Sequence, residues 1–286
     1  MKRSWRRGSL ASRSAARVRA GAAIVALALL ASGCGSDALG GTGDEPLLIA
    51  GAADLRPAFT VLGETFEEAT GEDIEFVFGS SGQLAQQLIE GAPMDLYASA
   101  NVSFVEQVLD AGVGDPDTQA TYAFGRITIW SSAVGAGGWG SLEELAADDG
   151  VTNIAIANPE HAPYGTAAKQ ALETVGEWDR VEPKLVFGEN VADTQRLAAT
   201  GNADVAIVAL SLALAADEAG EGSWTLIDED LHEPLQQDLI VVADDPRRAA
   251  LAARFIDHVG SDEGREVMRR FGFLLPGERA APAPAP

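Results

Sequence analysis

The chain has 286 residues, of which 47% are apolar, so it can bury a substantial core in one large domain or two small ones. Its formal net charge of −23 excludes nucleic acid as a partner, because an acidic surface repels phosphate backbones. Seven of the 20 basic residues precede residue 20, so the remainder is more acidic still. A site for a small anion must therefore use local, neutral hydrogen-bond donors.

The first 34 residues have the layout of an export signal. A basic segment without acids, MKRSWRRGSLASRSAARVR, precedes the apolar run AGAAIVALALLASGC, which is too short to favour a membrane span. The single cysteine, Cys34, ends the sequence LLASGC, which is similar to the lipobox at which lipoproteins are cleaved and lipidated. The alternative is an ordinary signal peptide with an incidental cysteine. The lack of a second cysteine for a disulfide favours the lipoprotein.

The ends of the chain and its body differ in composition. We predict a signal peptide over residues 1–34, a flexible Gly-rich tether over 35–45 and a disordered Pro/Ala tail over 277–286. The folded body lies between the tether and the tail. We expect an exported protein, lipid-anchored at Cys34 on the outer side of the cytoplasmic membrane.

Short apolar runs alternate with amphipathic runs along the body. The predicted strands, in chain order, are EPLLIAGAA, DIEFVF, MDLYAS, RITIWSS, TNIAIAN, KLVFGE, ADVAIVAL, SWTLID and QDLIVVA. Helices are predicted between most of them, and their ends carry Gly71 as a C-cap, Asn101 and Asp245 as N-caps, and a Ser141/Glu144 capping box. Strands that alternate with helices predict an α/β fold with parallel sheets.

No arrangement of catalytic residues is evident in the sequence. The three histidines lack metal-ligand spacing, and neither a Gly-x-Ser-x-Gly motif nor a phosphate-binding Walker loop is present. FGSSGQ is superficially similar to a nucleophile elbow but lacks its spacing. We therefore expect a protein that is not an enzyme. An exported hydrolase of anionic substrates is the alternative.

Small or neutral donors recur at four junctions between a strand and the following helix. The junctions carry Asp54, the pair Ser80 and Ser81, Tyr164, and Val191 after Asn190. In open α/β sheets, ligands bind at the carboxyl ends of strands, where the N–H groups of helix N-termini converge. Each junction alone is equally compatible with helix capping, but their recurrence predicts a site for a compact oxyanion.

Four stretches at these junctions together resemble one family. They are AADL around Asp54, FGSSGQLAQQLIEGAPMDLYASA, NPEHAPYGTAAKQAL and ENVADTQRLAATGNADVAIVALS. They resemble the extracytoplasmic molybdate-binding proteins, the solute-binding subunits of molybdate ABC transporters, and the resemblance covers nearly all of residues 47–275. It implies a two-lobed periplasmic-binding-protein type II fold with a ligand cleft between the lobes. Lobe 1 would comprise residues 46–122 and 235–276, and lobe 2 residues 123–234.

The resemblance also implies a function. It predicts a monomer without a cofactor that binds molybdate, and tungstate with it, at high affinity and delivers it to an ABC permease. The oxyanion would be bound by Ala53, Asp54, Ser80, Ser81, Tyr164 and Val191. Molybdenum would be bound only as the oxyanion, through Asp54, Ser81, Tyr164 and Val191. A binding protein for phosphate or sulfate, or a sensor of the same anion, is the alternative.

Asp54 departs from the family pattern, in which many members carry serine. In one hypothesis its carboxylate turns away from the anion and caps the following helix; in the other it points into the cleft and accepts a proton from phosphate. The surrounding motifs favour the first. Many members also have a donor tyrosine where this chain has Ala209, and we expect the Tyr164 hydroxyl to point to the anion in its place.

Overall fold

The computed structural model describes residues 45–132 and 138–278. The predicted signal peptide, Cys34 and nearly all of the predicted tether and tail lie outside the described residues, so the predictions for them stay predictions. Within the described ranges, no helix combines the length and the apolar character that a bilayer crossing requires.

The described strands form two five-stranded sheets. The strands are β1 Leu47–Ala52, β2 Ile74–Gly79, β3 Leu96–Ala98, β4 Ala120–Gly125, β5 Ile127–Ser131, β6 Ile154–Ala157, β7 Leu185–Gly188, β8 Val205–Ala209, β9 Ser223–Leu226 and β10 Leu235–Val241. The first sheet has the order β2-β1-β3-β10-β4, and the second has the order β7-β6-β8-β5-β9. Each sheet is the centre of one lobe.

Helices connect most of the strands and cover the sheets. They are α1 Arg56–Thr70, α2 Ser81–Ile89, α3 Val102–Asp110, α4 Leu142–Ala147, α5 Pro163–Thr174, α6 Trp178–Val181, α7 Val191–Ala199, α8 Leu210–Glu218, α9 Pro246–Gly260 and α10 Asp262–Arg270. Short 3-10 turns occur at Ala53–Leu55, Pro116–Thr118, Glu182–Lys184 and Glu229–Leu231.

The prediction of parallel sheets is wrong for part of each sheet. β1 pairs in parallel with β2 and β3, and β6 with β7 and β8, as helical crossovers require. β10 runs antiparallel to β3 and β4, and β5 runs antiparallel to β8 and β9. β5 and β10 are the strands with which the chain enters one sheet from the other. Within the described residues, no α-helix lies between either of them and the strand before it, so the chain is not turned back into the parallel direction.

The chain leaves the first sheet at the end of β4, enters the second with β5 at Ile127, and returns with β10. β4, with the sequence ATYAFG, is absent from the predicted strands. The proposed lobe boundaries at 122–123 and 234–235 stay a prediction, and β4 lies across the first of them.

The core lies on both sides of the central strands. Leu47 and Ile49 of β1 are fully buried, and the Phe59 ring on α1 packs edge-on against Phe255 on α9, with ring centroids 5.7 Å apart. The contact between Phe59 and Phe255 packs α1 against α9, and Ala52 at the end of β1 is part of one wall of the site described below.

Most of the predicted helix ends are confirmed. Gly71 follows α1 with φ of 72°, a left-handed conformation that glycine adopts without strain. Asn101 accepts a hydrogen bond from the N–H of Ser103, and Asp245 accepts from Arg247 and Arg248. In the predicted capping box, Ser141 accepts from the Glu144 N–H, but the Glu144 carboxylate accepts from Gly140 N, one residue before the expected donor.

Candidate functional site

All six residues that the sequence predicts for an oxyanion site line one pocket. Its walls are Ala52, Ala53, Asp54, Gly79, Ser80, Ser81, Ala100, Ala162, Pro163, Tyr164, Asn190 and Val191. The cavity volume is about 10 Å³, and about 190 Å³ of atom-free space lies between these walls when the part open to solvent is included. It lies at the carboxyl ends of β1, β2, β6 and β7, between the two lobes, as expected for an open α/β sheet.

Ser81 presents a hydroxyl donor at the start of α2. Its Oγ accepts a hydrogen bond of 3.0 Å from the N–H of Ala100, and its carbonyl oxygen accepts one of 2.8 Å from the Tyr97 hydroxyl. Both contacts hold the residue in place and leave the hydroxyl proton available for a ligand. Ser81 is also the first residue of α2, so its N–H has no acceptor within the helix.

The start of α5 brings Tyr164 to the opposite wall. Pro163 is the first residue of the helix and has no N–H, so the N–H of Tyr164 is the first that the helix N-terminus offers. Gly165 allows the close approach of this turn to β6, because a Cβ there would lie 2.0 Å from the carbonyl oxygen of Ala157.

The start of α7 is arranged so that one N–H is free. The Asn190 side chain accepts from the N–H groups of Ala192 and Asp193, each at 3.0 Å. The Asn190 side chain does not bond Val191, which is the first residue of the helix and lines the pocket. The Val191 N–H is therefore oriented with the helix N-terminus but not used by its cap.

The prediction that the Asp54 side chain caps α1 is wrong. Asp54 lies within the 3-10 turn Ala53–Leu55, and no side chain caps either that turn or α1. Instead Asp54 Oδ2 accepts a hydrogen bond of 2.9 Å from the Tyr164 hydroxyl and one of 2.7 Å from Gln237 Nε2. Donors from α5 and β10 thus engage the carboxylate in place of the N–H groups at the start of α1.

The expectation that the Tyr164 hydroxyl points to an anion is wrong for the same reason. Its proton is donated to Asp54, across the interface between the lobes. Gly125 makes room for this contact, since a Cβ there would lie 2.2 Å from the Tyr164 hydroxyl oxygen. Tyr164 therefore contributes its backbone, and not its hydroxyl, to the pocket.

The second oxygen of the Asp54 carboxyl group, Oδ1, is buried without a hydrogen-bond partner. Burial raises the pKa of Asp54, and the hydrogen bonds from Gln237 and Tyr164 offset only part of this increase, so the pKa is about 6. The backbone N–H groups of Asp54 and Leu55 also favour the charged form. Burial, followed by the negative charge of Asp54, holds the pKa of Tyr164 well above its ordinary value, so Tyr164 keeps its proton.

Gln237 is a site residue that the sequence pattern did not reveal. It is fully buried on β10, and its Oε1 accepts a hydrogen bond of 2.9 Å from the Tyr122 hydroxyl. This contact orients the amide so that Nε2 faces Asp54. A glutamine inside a buried strand is the only local signal, and it does not identify a partner.

Ser80, which is predicted as a donor to the anion, uses its hydroxyl elsewhere. It occupies the N-cap position of α2, but its Oγ donates to the carbonyl oxygen of His161 at 2.5 Å and lies 2.9 Å from His161 Nδ1. The N–H of Gly82 donates to the same carbonyl at 3.0 Å, and Gln83 Nε2 donates to Glu189 at 3.0 Å. These contacts join the two lobes beside the pocket.

The donor set of the pocket is neutral. It consists of the Ser81 hydroxyl and the N–H groups at the starts of α2, α5 and α7, and no lysine or arginine lines the pocket. Within the described part of the chain, no group of three or more histidine, cysteine, aspartate or glutamate side chains could hold a metal ion. Oriented N–H and O–H groups at helix N-termini suit an oxyanion rather than a cation.

Residues 47–274 match the family described as bacterial extracellular solute-binding protein. The chain belongs to this family. A member of the bacterial extracellular solute-binding protein family acts outside the cytoplasm, which agrees with the predicted export signal, and binds a solute, which agrees with a pocket between two lobes.

The chain is similar to several members whose ligand is part of their names. It is 32% identical to the molybdate-binding protein ModA of Rhodobacter capsulatus over 235 residues, which cover 80% of this chain and 88% of that protein. It is 30% identical to ModA of Azotobacter vinelandii over 233 residues, 79% and 89% of the two chains.

Solved structures confirm the two-lobed periplasmic-binding-protein type II fold. The structure of the periplasmic molybdate-binding protein of A. vinelandii superposes with a TM-score of 0.75 at 27% identity, covering 80% of this chain and 99% of that one. The sulfate-binding protein SubI of Mycobacterium tuberculosis has a TM-score of 0.69 at 15% identity, covering 82% and 88%. The second likeness concerns the fold alone.

Proposed function

We propose that this chain binds molybdate, and tungstate with it, outside the cytoplasmic membrane and delivers it to an ABC permease. The observation that supports this most directly is the pocket, in which three helix N-termini and the Ser81 hydroxyl converge as neutral donors. The two relatives described above, at 32% and 30% identity, are named molybdate-binding proteins.

The proposed donors are the hydroxyl and N–H of Ser81, the N–H groups of Tyr164 and Val191, and the backbone at Ala53. Molybdate is fully ionised near neutral pH, so each donor forms a charge-assisted hydrogen bond, worth about 1.5–3 kcal/mol. A few such bonds support submicromolar binding after the cost of ordering the site. Ser80 is proposed as a contact between the lobes rather than a donor, because His161 takes its hydroxyl proton.

The working mechanism is closure of two lobes around the anion. The contacts from Ser80 and Gly82 to His161, and from Gln83 to Glu189, connect the lobes next to the pocket. An anion that bonds donors from both lobes favours the closed state over the open one, and a permease recognises that state. We propose that the protein acts as a monomer, held at the membrane by a lipid at Cys34.

Phosphate is a second candidate ligand, and one observation favours it. Asp54 is one of the residues that line the pocket, and its Oδ1 is buried without a hydrogen-bond partner. Phosphate near neutrality retains a proton that a charged carboxylate could accept, whereas fully ionised molybdate and sulfate have none.

Titration calorimetry of the purified protein with molybdate, tungstate, sulfate and phosphate in turn tests the proposal. We expect tight binding of molybdate and tungstate, with sulfate and phosphate weaker. Tight binding of phosphate without binding of molybdate would contradict it and would support the second candidate.

A further inference from the structure

We propose that Asp54 takes up one proton when the pocket binds a dianion, and that its Oδ1 then donates a hydrogen bond to the bound anion. This inference rests on the proposed function, because it concerns the same pocket and the same class of ligand. It assigns to Asp54 a role in binding that is coupled to pH.

The hydrogen bonds of the carboxyl group determine where the proton goes. Oδ2 accepts two bonds, from the Tyr164 hydroxyl and from Gln237 Nε2. The amide of Gln237 is held in that orientation because its Oε1 accepts from the Tyr122 hydroxyl. With Oδ2 occupied by two donors, the added proton belongs on Oδ1, the oxygen that has no partner.

A charged Asp54 would be unfavourable beside a bound dianion. Asp54 is fully buried and is one of the residues that line the pocket, so little solvent separates its charge from that of the ligand. Like charges at close range raise the pKa of a carboxyl group, and burial has already raised the pKa of Asp54 to about 6 in the absence of ligand. Protonation removes the repulsion and turns Oδ1 from an acceptor into a donor, which matches the rest of the pocket.

The groups around the carboxyl do not supply a competing positive charge. Polar side chains donate to it or to its backbone from three elements: Tyr164 of α5, Gln237 of β10 and Ser211 of α8. The Tyr122 hydroxyl of β4 donates to Gln237 Oε1 instead. α7 and β2 contribute Val191 and Gly79 to the pocket. On α1, the Arg56 guanidinium lies over the Phe78 ring, 4.6 Å from its centroid. His161, bound to Ser80, and Glu189, bound to Gln83, are further titratable groups beside the pocket.

The direction of the pH dependence follows from linkage. Below about pH 6, Asp54 is already protonated and the affinity for a dianion does not depend on this group. Above that pH, binding requires uptake of one proton, so the affinity falls by about tenfold for each further pH unit.

The affinity for molybdate and the number of protons taken up can both be measured by calorimetric titration of the wild-type protein. The titrations run from pH 5 to 8.5 in buffers of different ionisation enthalpy. We expect about one proton taken up per anion at pH 8 and almost none at pH 5. Asp54→Asn should abolish the uptake and keep the affinity constant with pH. Its amide oxygen can accept the two bonds of Oδ2, and its NH2 group takes the place of protonated Oδ1. Asp117→Asn, at an exposed position, is the matched control and should behave as wild type.

Three results would overturn the proposal. In the first, the wild-type protein binds molybdate at pH 8 without taking up a proton, a measurement that does not depend on any variant. In the second, proton uptake persists in Asp54→Asn, which would assign it to another group such as His161. In the third, neither protein binds molybdate at any pH, which contradicts the proposed function and this inference with it.

Discussion

Asp54 follows β1 directly, and its side chain is buried among hydrogen-bond donors from both lobes. Tyr164 and Gln237 satisfy one oxygen, and the Ser211 hydroxyl donates to its backbone carbonyl at 2.7 Å. A fully buried charge without a cationic partner is costly, which is why the pKa of Asp54 is raised. Asp54 thus stabilises the junction between the lobes best when it is neutral.

This cost predicts how the stability of Asp54→Asn varies with pH. Asp54 has a pKa of about 6 in the folded protein, against a reference value of 3.8 for the unfolded chain. The free energy of unfolding that the neutral carboxyl group contributes is therefore largest below pH 4 and is lost as the pH rises through 6. The variant should therefore gain about 2 kcal/mol on the wild-type protein between pH 4 and pH 7.5. Urea unfolding at both pH values measures the difference. If the free energy of unfolding of Asp54→Asn differed from that of the wild-type protein by the same amount at pH 4 and at pH 7.5, this would contradict the raised pKa.

Replacement of Ser81 by alanine tests the hydroxyl donor of the pocket. Loss of one charge-assisted hydrogen bond should weaken molybdate binding by about tenfold to a hundredfold. Ser103→Ala, at an exposed position on α3, is the matched control and should leave the affinity unchanged. Unchanged affinity in Ser81→Ala, measured by titration calorimetry on protein with a wild-type circular dichroism spectrum, would remove the hydroxyl from the proposed donor set.

At the scale of elements, the pocket consists of helix N-termini that follow strands directly. α2, α5 and α7 begin two to six residues after β2, β6 and β7. The dipole of each helix and its unpaired first N–H groups point towards the carboxyl edge of the sheet. The caps decide which N–H groups remain for a ligand, as Asn190 does when it bonds Ala192 and Asp193 but not Val191.

Asn190→Ala should both destabilise the protein and weaken anion binding. Loss of the cap costs about 1 kcal/mol and allows the first turn of α7 to fray, so the Val191 N–H is less well oriented. Asp245→Ala removes a cap of the same kind from α9, where the side chain accepts from Arg247 and Arg248. That control should lower stability without weakening binding. Thermal unfolding measures the stability of both variants, and calorimetry measures their affinity for molybdate. Equal affinity in Asn190→Ala and Asp245→Ala would contradict a role for the start of α7 in binding.

At the scale of the whole molecule, the described structure has its lobes in contact. The lobes meet through Asp54 and Tyr164, through Ser80, Gly82 and His161, and through Gln83 and Glu189. All of these contacts lie at or beside the pocket. In the proposed mechanism, closure of the lobes would form the site and enclose it in one step, and a ligand bound by both lobes would stabilise the same arrangement.

Gly82→Ala should obstruct closure. A Cβ at this position would lie 2.8 Å from the carbonyl oxygen of His161, a backbone atom that cannot move aside without its lobe. We expect molybdate affinity about tenfold lower, and a radius of gyration from small-angle scattering that stays larger than that of the wild-type protein at saturating molybdate. Gly260→Ala, where a Cβ meets no atom within 4 Å, is the control. A wild-type radius in Gly82→Ala would contradict this role of the contact.

The sequence by itself determined the features that depend on neighbouring residues. Apolar periodicity predicted all the strands except β4, and cap residues such as Asn101 and Asp245 predicted helix starts, because a cap bonds N–H groups two or three positions away. Recurrent junctions also predicted which residues line the pocket, since strand ends of a sheet converge.

Only the tertiary structure decided which side chains pair inside the site. Asp54 meets Tyr164 across 110 positions and Gln237 across 183, and Ser80 meets His161 across 81. Local pattern predicted a helix cap for Asp54, but partners from the other lobe and from β10 compete for a buried carboxyl group. Such a choice depends on how the lobes and strands pack, which no short stretch of sequence encodes. The antiparallel pairing of β5 and β10 was decided in the same way, by where the chain changes sheets.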